Sequence, residues 1–157
     1  MSAYFSWPAR LLAVNTPDAR FVRHRLFEAF LDPDLSRKPD WKDSNFWLVP
    51  GLFDKRHYSL RGVVPSDRFY LRHQNRRVKL QEFIPGDTQF AKDATFEITP
   101  PLATGELETG GLSLRSYNFP NLYLRHRNFE MWVEEFQDND AYRKDATFRL
   151  RNSALQP

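Results

Sequence analysis

Three histidines and three aspartates recur in this chain at matched spacing. His24 is followed by Asp43, His73 by Asp93 and His126 by Asp145, at separations of 19, 20 and 19 residues. An ionised carboxylate only accepts hydrogen bonds, whereas a neutral imidazole offers one donor and one acceptor. Together they can grip two neighbouring sugar hydroxyls, one donating to the Asp and the other meeting the His. Bonds to the charged oxygen are the stronger ones. The same pair can instead bond to itself and fix a turn, and spacing alone leaves both readings open. Tyr70 and Tyr123 stand three residues before their histidines and offer a hydroxyl or an apolar wall; Phe21 takes that place in the first copy.

Other chemistries find little support. Glycoside hydrolysis needs two carboxylates about 5–5.5 Å apart for retention or about 6.5–9.5 Å for inversion. Aspartates in separate copies are not expected to form such a pair, and Glu134 and Glu135 would point to opposite faces of a strand. The remaining histidine, His57, is isolated, so no metal-ligand cluster and no cofactor are expected. The chain has no Cys, which rules out thiolate sites and disulfides. Neither a glycine-rich phosphate loop nor a Gly-x-Ser-x-Gly elbow occurs.

The elements that must position these residues come in three similar stretches of about fifty residues. Arg20-Phe21-Val22-Arg23-His24, Tyr70-Leu71-Arg72-His73 and Tyr123-Leu124-Arg125-His126 correspond. Lys42-Asp43-Ser44-Asn45-Phe46 is answered by Lys-Asp-Ala-Thr-Phe at 92–96 and again at 144–148. Ser-Leu-Arg recurs at 59–61 and 113–115. Apolar–polar alternation at 78–83 and 129–133 is the period-2 sign of half-buried strands. Phe46, Phe96 and Phe148 open the last strand of each copy, and Leu12, Leu60 and Leu114 read as core. Turn residues at 15–18, 65–67, 85–87, 118–121 and 138–140 punctuate the strands. The expectation is one all-β domain over 1–157, a β-trefoil with repeats at about 8–54, 55–107 and 108–157 around a pseudo-threefold axis. No unit can bury its apolar face alone, and closure removes free strand edges.

Composition agrees with a folded domain. Of 157 residues, 41% are hydrophobic, and the 14 Phe promise an aromatic-rich core. The net charge is +3, but the basic residues are dispersed among acidic ones, which reads as a solvated face and not as a nucleic-acid footprint. No apolar run approaches the roughly 18 residues of a membrane helix. Met1 to Trp7 lacks a basic segment followed by an apolar stretch. The localisation expected is extracellular if this is a module of a secreted protein, and cytoplasmic if it is the complete chain. Trp7, Trp41 and Trp132 are candidates for a protein-anchoring surface, which keeps a scaffold role as the alternative function.

The order Ser-Leu-Arg-Ser-Tyr-Asn-Phe-Pro at 113–120, Tyr-Leu-Arg-His at 123–126 and Asp-Ala-Thr-Phe at 145–148 resembles the arabinofuranose-binding domain of α-L-arabinofuranosidase B. That domain is carbohydrate-binding module family 42, and the similarity runs over roughly residues 10–155. The resemblance implies a non-catalytic module that binds terminal L-arabinofuranose side chains of arabinoxylan or arabinan. Its partners would be that polysaccharide and a glycoside hydrolase, as partner or parent chain, with no nucleic acid and no membrane. Carried over, the sites are His126 with Asp145 and Tyr123, His73 with Asp93 and Tyr70, and His24 with Asp43. The third copy keeps the pattern best. The first departs most, with Phe21 for Tyr and Ser44-Asn45 for Ala-Thr, and the family's cysteine pair is absent.

Overall fold

The computed structural model describes residues 8–152. Apolar residues in alternation build twelve strands: β1 (Ala9–Ala13), β2 (Arg20–Arg25), β3 (Glu28–Pro33), β4 (Phe46–Pro50), β5 (Tyr58–Gly62), β6 (Phe69–Gln74), β7 (Arg77–Glu82), β8 (Phe96–Thr99), β9 (Gly111–Ser116), β10 (Leu122–Arg127), β11 (Glu130–Glu135) and β12 (Phe148–Asn152). Three hairpins, β2–β3, β6–β7 and β10–β11, each pair six residues. Their registers set Val22 opposite Leu31, Leu71 opposite Leu80 and Leu124 opposite Val133. All six are fully buried, as are Phe46, Phe96 and Phe148 at the starts of β4, β8 and β12. Burial of each such side chain contributes roughly 1.5–3 kcal/mol, so this set is the main source of stability. In β1 the core residue is Leu11; the expected Leu12 is only half-buried beside Phe21.

The expected β-trefoil, with three repeats around a pseudo-threefold axis, is corrected to a closed antiparallel barrel. All twelve strands belong to one sheet, and its two ends meet because β11 pairs with β7 and β3 with β7. The ladders that join the barrel run across the expected unit boundaries. β4 pairs β5 over five residues, β8 pairs β9 over four, and β12 returns to β1 over five. Alternation of apolar residues fixes which side chains face inward, but not which strand supplies the hydrogen-bonding partner. That is why the three sequence copies suggested three lobes where the backbone makes one continuous surface.

Two helices also went unread in the sequence: α1 (Thr88–Asp93) and α2 (Asp140–Asp145). Each is a single capped turn and a half. Asp87 Oδ1 accepts from the Phe90 amide at 3.0 Å, and Asn139 Oδ1 from the Tyr142 amide at 2.8 Å. In the first copy a 3-10 turn, Trp41–Ser44, takes their place. The hairpin tips are two-residue turns with positive φ at both positions: Leu26-Phe27, Asn75-Arg76 and Asn128-Phe129. This turn geometry matches the twist of the flanking strands. Among the described residues no helix is long and apolar enough to cross a membrane.

Candidate functional site

Strands β2, β6 and β10 carry an Arg-His step one residue before their ends, and each Arg folds back on it. Arg23, Arg72 and Arg125 donate from Nε to the carbonyl of the following histidine at 3.0, 3.0 and 3.1 Å. The far end of each guanidinium reaches the aspartate of its copy: Asp43 at 2.7 Å, Asp93 at 2.5 Å and Asp145 at 2.5 Å. Asp93 and Asp145 close α1 and α2, and the recurring Ala-Thr that follows anchors the helix exit. The carbonyls of Ala94 and Ala146 accept from Ser59 and Ser113 hydroxyls at 2.7 Å. Thr95 and Thr147 hydroxyls donate to Ala91 and Arg143 carbonyls at 2.8 and 2.7 Å. The Lys-Asp-Ala-Thr-Phe segment is thus a device for holding one carboxylate in place.

His73 and Asp93 come together, and so do His126 and Asp145, with Nε2 3.6 Å from Oδ1 in both. An asparagine from one of the predicted turns bridges each pair. Asn118 Nδ2 donates to Asp93 at 2.8 Å while its Oδ1 lies 3.0 Å from His73 Nε2. Asn15 does the same between Asp145, at 2.8 Å, and His126, at 2.8 Å. The carboxylate can only accept, so it fixes the amide orientation, and the amide oxygen in turn requires a proton on Nε2. Each bridged imidazole is therefore the Nε2–H form, with Nδ1 left as an acceptor. The shared Asn-x-Pro at 15–17 and 118–120 was the available signal.

In the third site a cleft of about 380 Å³ is lined by Asn15, Thr16, His126, Phe129 and Asp145 among others. In the second site a cleft of about 240 Å³ is lined by His73, Asn75, Arg76, Phe119 and Leu122. Asp93 sits deeper there, at 7% side-chain exposure against 19% for Asp145. It also accepts from Gln89 at 3.0 Å. Phe119 sets its ring edge-on to His73 at 5.5 Å, and Phe129 in the third cleft carries the Arg20 guanidinium at 4.1 Å. The third cleft thus combines a polar His–Asn–Asp floor with one aromatic wall. In the second, His73 and Phe119 line the cleft, and the buried Asp93 and its Asn118 bridge stand outside the lining.

The first site differs. Asp43 is held by Arg23, which also binds Asp32 at 3.1 Å and Asp40 at 3.0 Å. Arg61, Arg115 and Leu12 occupy matching places opposite Tyr70, Tyr123 and Phe21. Three residues beyond them stand Val64, Asn118 and Asn15, so Val64 replaces the bridging asparagine. His24 Nε2 is buried without a hydrogen-bond partner. A cleft of about 360 Å³ beside it is lined by His24, Leu26, Phe27, Asp43, Val64 and Pro65 among others.

Tyr70 and Tyr123 are not brought to these clefts. Residues three apart on a strand face opposite ways, and the two rings pack on Phe83 at 6.1 Å and Phe136 at 6.2 Å. Of the candidate anchor tryptophans, Trp132 is half-buried with Arg127 at 4.5 Å and Arg77 at 5.6 Å over its ring. Trp41 opens the 3-10 turn, and Trp7 lies outside the described residues. Among the described residues no group of three His, Asp or Glu could hold a metal ion.

Burial keeps all three histidines below their ordinary value. For His126 and His24, Asp145 and Asp43 pull the other way, as does the Val64 carbonyl for His24. For His73 the bond to Asn118 and the charge of Asp93 oppose burial without overcoming it. The imidazoles are neutral at physiological pH and able both to donate and to accept.

Comparison with known proteins places this arrangement. Residues 9–150 match the model of the α-L-arabinofuranosidase B (AbfB) domain. A GH54 α-L-arabinofuranosidase soaked with a cyclic sulfate inhibitor shares 25% identity at a TM-score of 0.78. The similarity covers 97% of this chain and 32% of that one. An arabinofuranosidase complexed with arabinofuranosyl-α-1,2-xylobiose has 23% identity and a TM-score of 0.76, covering 98% and 33%. An endo-β-galactosidase from Clostridium perfringens shares the fold at 11% identity and a TM-score of 0.65, covering 92% and 32%. This chain spans about a third of the length of these structures. No curated protein matches it. With the family model covering nearly all the described residues, the chain belongs to the α-L-arabinofuranosidase B domain family.

Proposed function

We propose that this protein is a non-catalytic carbohydrate-binding module for terminal L-arabinofuranose side chains, such as those of arabinoxylan or arabinan. The observation that carries the reading is the His–Asn–Asp floor beneath an aromatic wall in the third cleft, with the same triad held together at His73, which lines the second. A furanose offers vicinal hydroxyls that can donate to the carboxylate and to imidazole Nδ1, and an apolar C–H face for Phe119 or Phe129. Membership of the family and likeness to arabinofuranosidase structures support the choice of sugar.

His126 and Asp145 are the principal contacts, His73 and Asp93 the second set, with Asn15 and Asn118 orienting them. Each cleft is shallow and individually weak. Two on one rigid body raise the affinity for a polymer that spans them by roughly 10²–10⁴. The module would bring an arabinofuranosidase activity, on its own or a partner chain, to branched hemicellulose.

Calorimetric titration with arabinoxylan and with a glucose polymer tests this. The expected result is binding to arabinoxylan alone, weakened at least tenfold by Asp145→Ala. Equal binding to both polymers, or no binding to either, would contradict it.

A further inference from the structure

Beyond the sugar reading of the other two clefts, and independent of it, the first cleft has its own chemistry. In the second and third sites a protein carboxamide lies between His and Asp, its oxygen facing imidazole Nε2 at 3.0 and 2.8 Å and its nitrogen facing the carboxylate at 2.8 Å. At the first site Val64 stands in the equivalent place, and its side chain supplies neither group. His24 is 7% exposed, its Nε2 has no hydrogen-bond partner, and it lines the cleft together with Asp43.

Apart from Arg25, the rim of this cleft is apolar. Val64 and Pro65 form one side, and Leu26 and Phe27 the other. Leu26 is 86% and Phe27 55% exposed, and both sit at positive φ, which bulky side chains rarely adopt. The corresponding tip residues are Asn75-Arg76 and Asn128-Phe129. The first tip thus puts two apolar side chains beside the cleft that has lost its polar bridge.

We infer that the first cleft is a binding site for a primary carboxamide borne on a small apolar group, such as the side-chain amide of a peptide glutamine. The ligand carbonyl accepts from His24 Nε2, and the amide N–H on the same side as that oxygen donates to Asp43. The attached carbon chain lies against Val64, Pro65 and the Leu26-Phe27 tip. This repeats with a ligand the contacts that Asn118 and Asn15 make within the protein. A polyhydroxylated sugar would set hydroxyls against the apolar rim.

The test is an NMR titration of the imidazole signals with propionamide, N-methylpropionamide and methyl α-L-arabinofuranoside. Propionamide should shift His24 saturably, with a dissociation constant on the order of 1–100 mM as a five-atom fragment allows. N-methylpropionamide, whose N–H points away from its carbonyl oxygen, should bind at least fivefold more weakly. Val64→Asn should abolish the His24 response while leaving His73 and His126 signals in place, which also reports that the variant folds. The wild-type comparison of the two amides stands without any variant. The inference is overturned if propionamide gives no saturable shift at His24, if the two amides act equally, or if methyl α-L-arabinofuranoside competes with propionamide there. Failure of the sugar reading would show instead at His73 and His126.

Discussion

Replacing Asn15 by valine copies into the third site the difference that separates the first site from the other two. Asn15 Nδ2 donates to the charged Asp145 and its Oδ1 accepts from His126, both at 2.8 Å. A bond to a charged group contributes about 1.5–3 kcal/mol net and a neutral one about 0.5–1.5. Asn15 is half-buried, so water replaces part of the loss, and the expected destabilisation is about 2–3 kcal/mol. For a domain of this size that lowers Tm by roughly 4–12 °C. Urea unfolding at pH 7.5, with the m-value unchanged, gives the number directly. In a His126→Ala background the same substitution should cost about 1 kcal/mol less, because the two residues are coupled. A loss below about 0.5 kcal/mol in the wild-type background would refute the claim that Asn15 holds the pair together.

Further expectations follow from the same network. Histidine in the unfolded chain titrates near pH 6.5, while burial holds His24, His73 and His126 lower in the folded state. Below pH 6.5 the unfolded chain therefore binds more protons, and stability falls with pH toward the depressed folded values; a urea midpoint that is flat or rising from pH 7 to 5 would contradict this. Arg125→Lys should cost about 2–4 kcal/mol in urea unfolding, since one ammonium cannot reproduce a planar fork that meets Asp145, Glu134 and the His126 carbonyl. Thr95→Val keeps the shape but removes the hydroxyl that donates to Ala91 and accepts from the Phe53 amide. A loss of about 1–3 kcal/mol is expected on thermal unfolding, and none if the Ala-Thr step serves packing alone.

Much of the site was legible because chemistry and spacing travel together in the chain. The His and Asp of the second and third copies do meet, and the all-β character followed from alternation along β7 and β11. The arrangement of strands was not legible, because a strand's hydrogen-bonding partner leaves no mark on its own pattern; β4 and β5, which looked like an end and a beginning, are neighbours over five residues. Asn15 and Asn118 were passed over because asparagine before proline is also ordinary turn chemistry. Tyr70 and Tyr123 were drawn toward the histidines by sequence proximity, yet an odd separation on a strand turns them away. The difference at Val64 became meaningful only when the register showed which residue it replaces.

The most direct test of the sugar reading is an NMR titration of the imidazoles with methyl α-L-arabinofuranoside in wild type and in Asp145→Ala. The account expects saturable shifts at His126 and His73 in the wild type, and retention of the His73 response alone in the variant. Saturation without any change at either histidine, or no saturation at all, would contradict it.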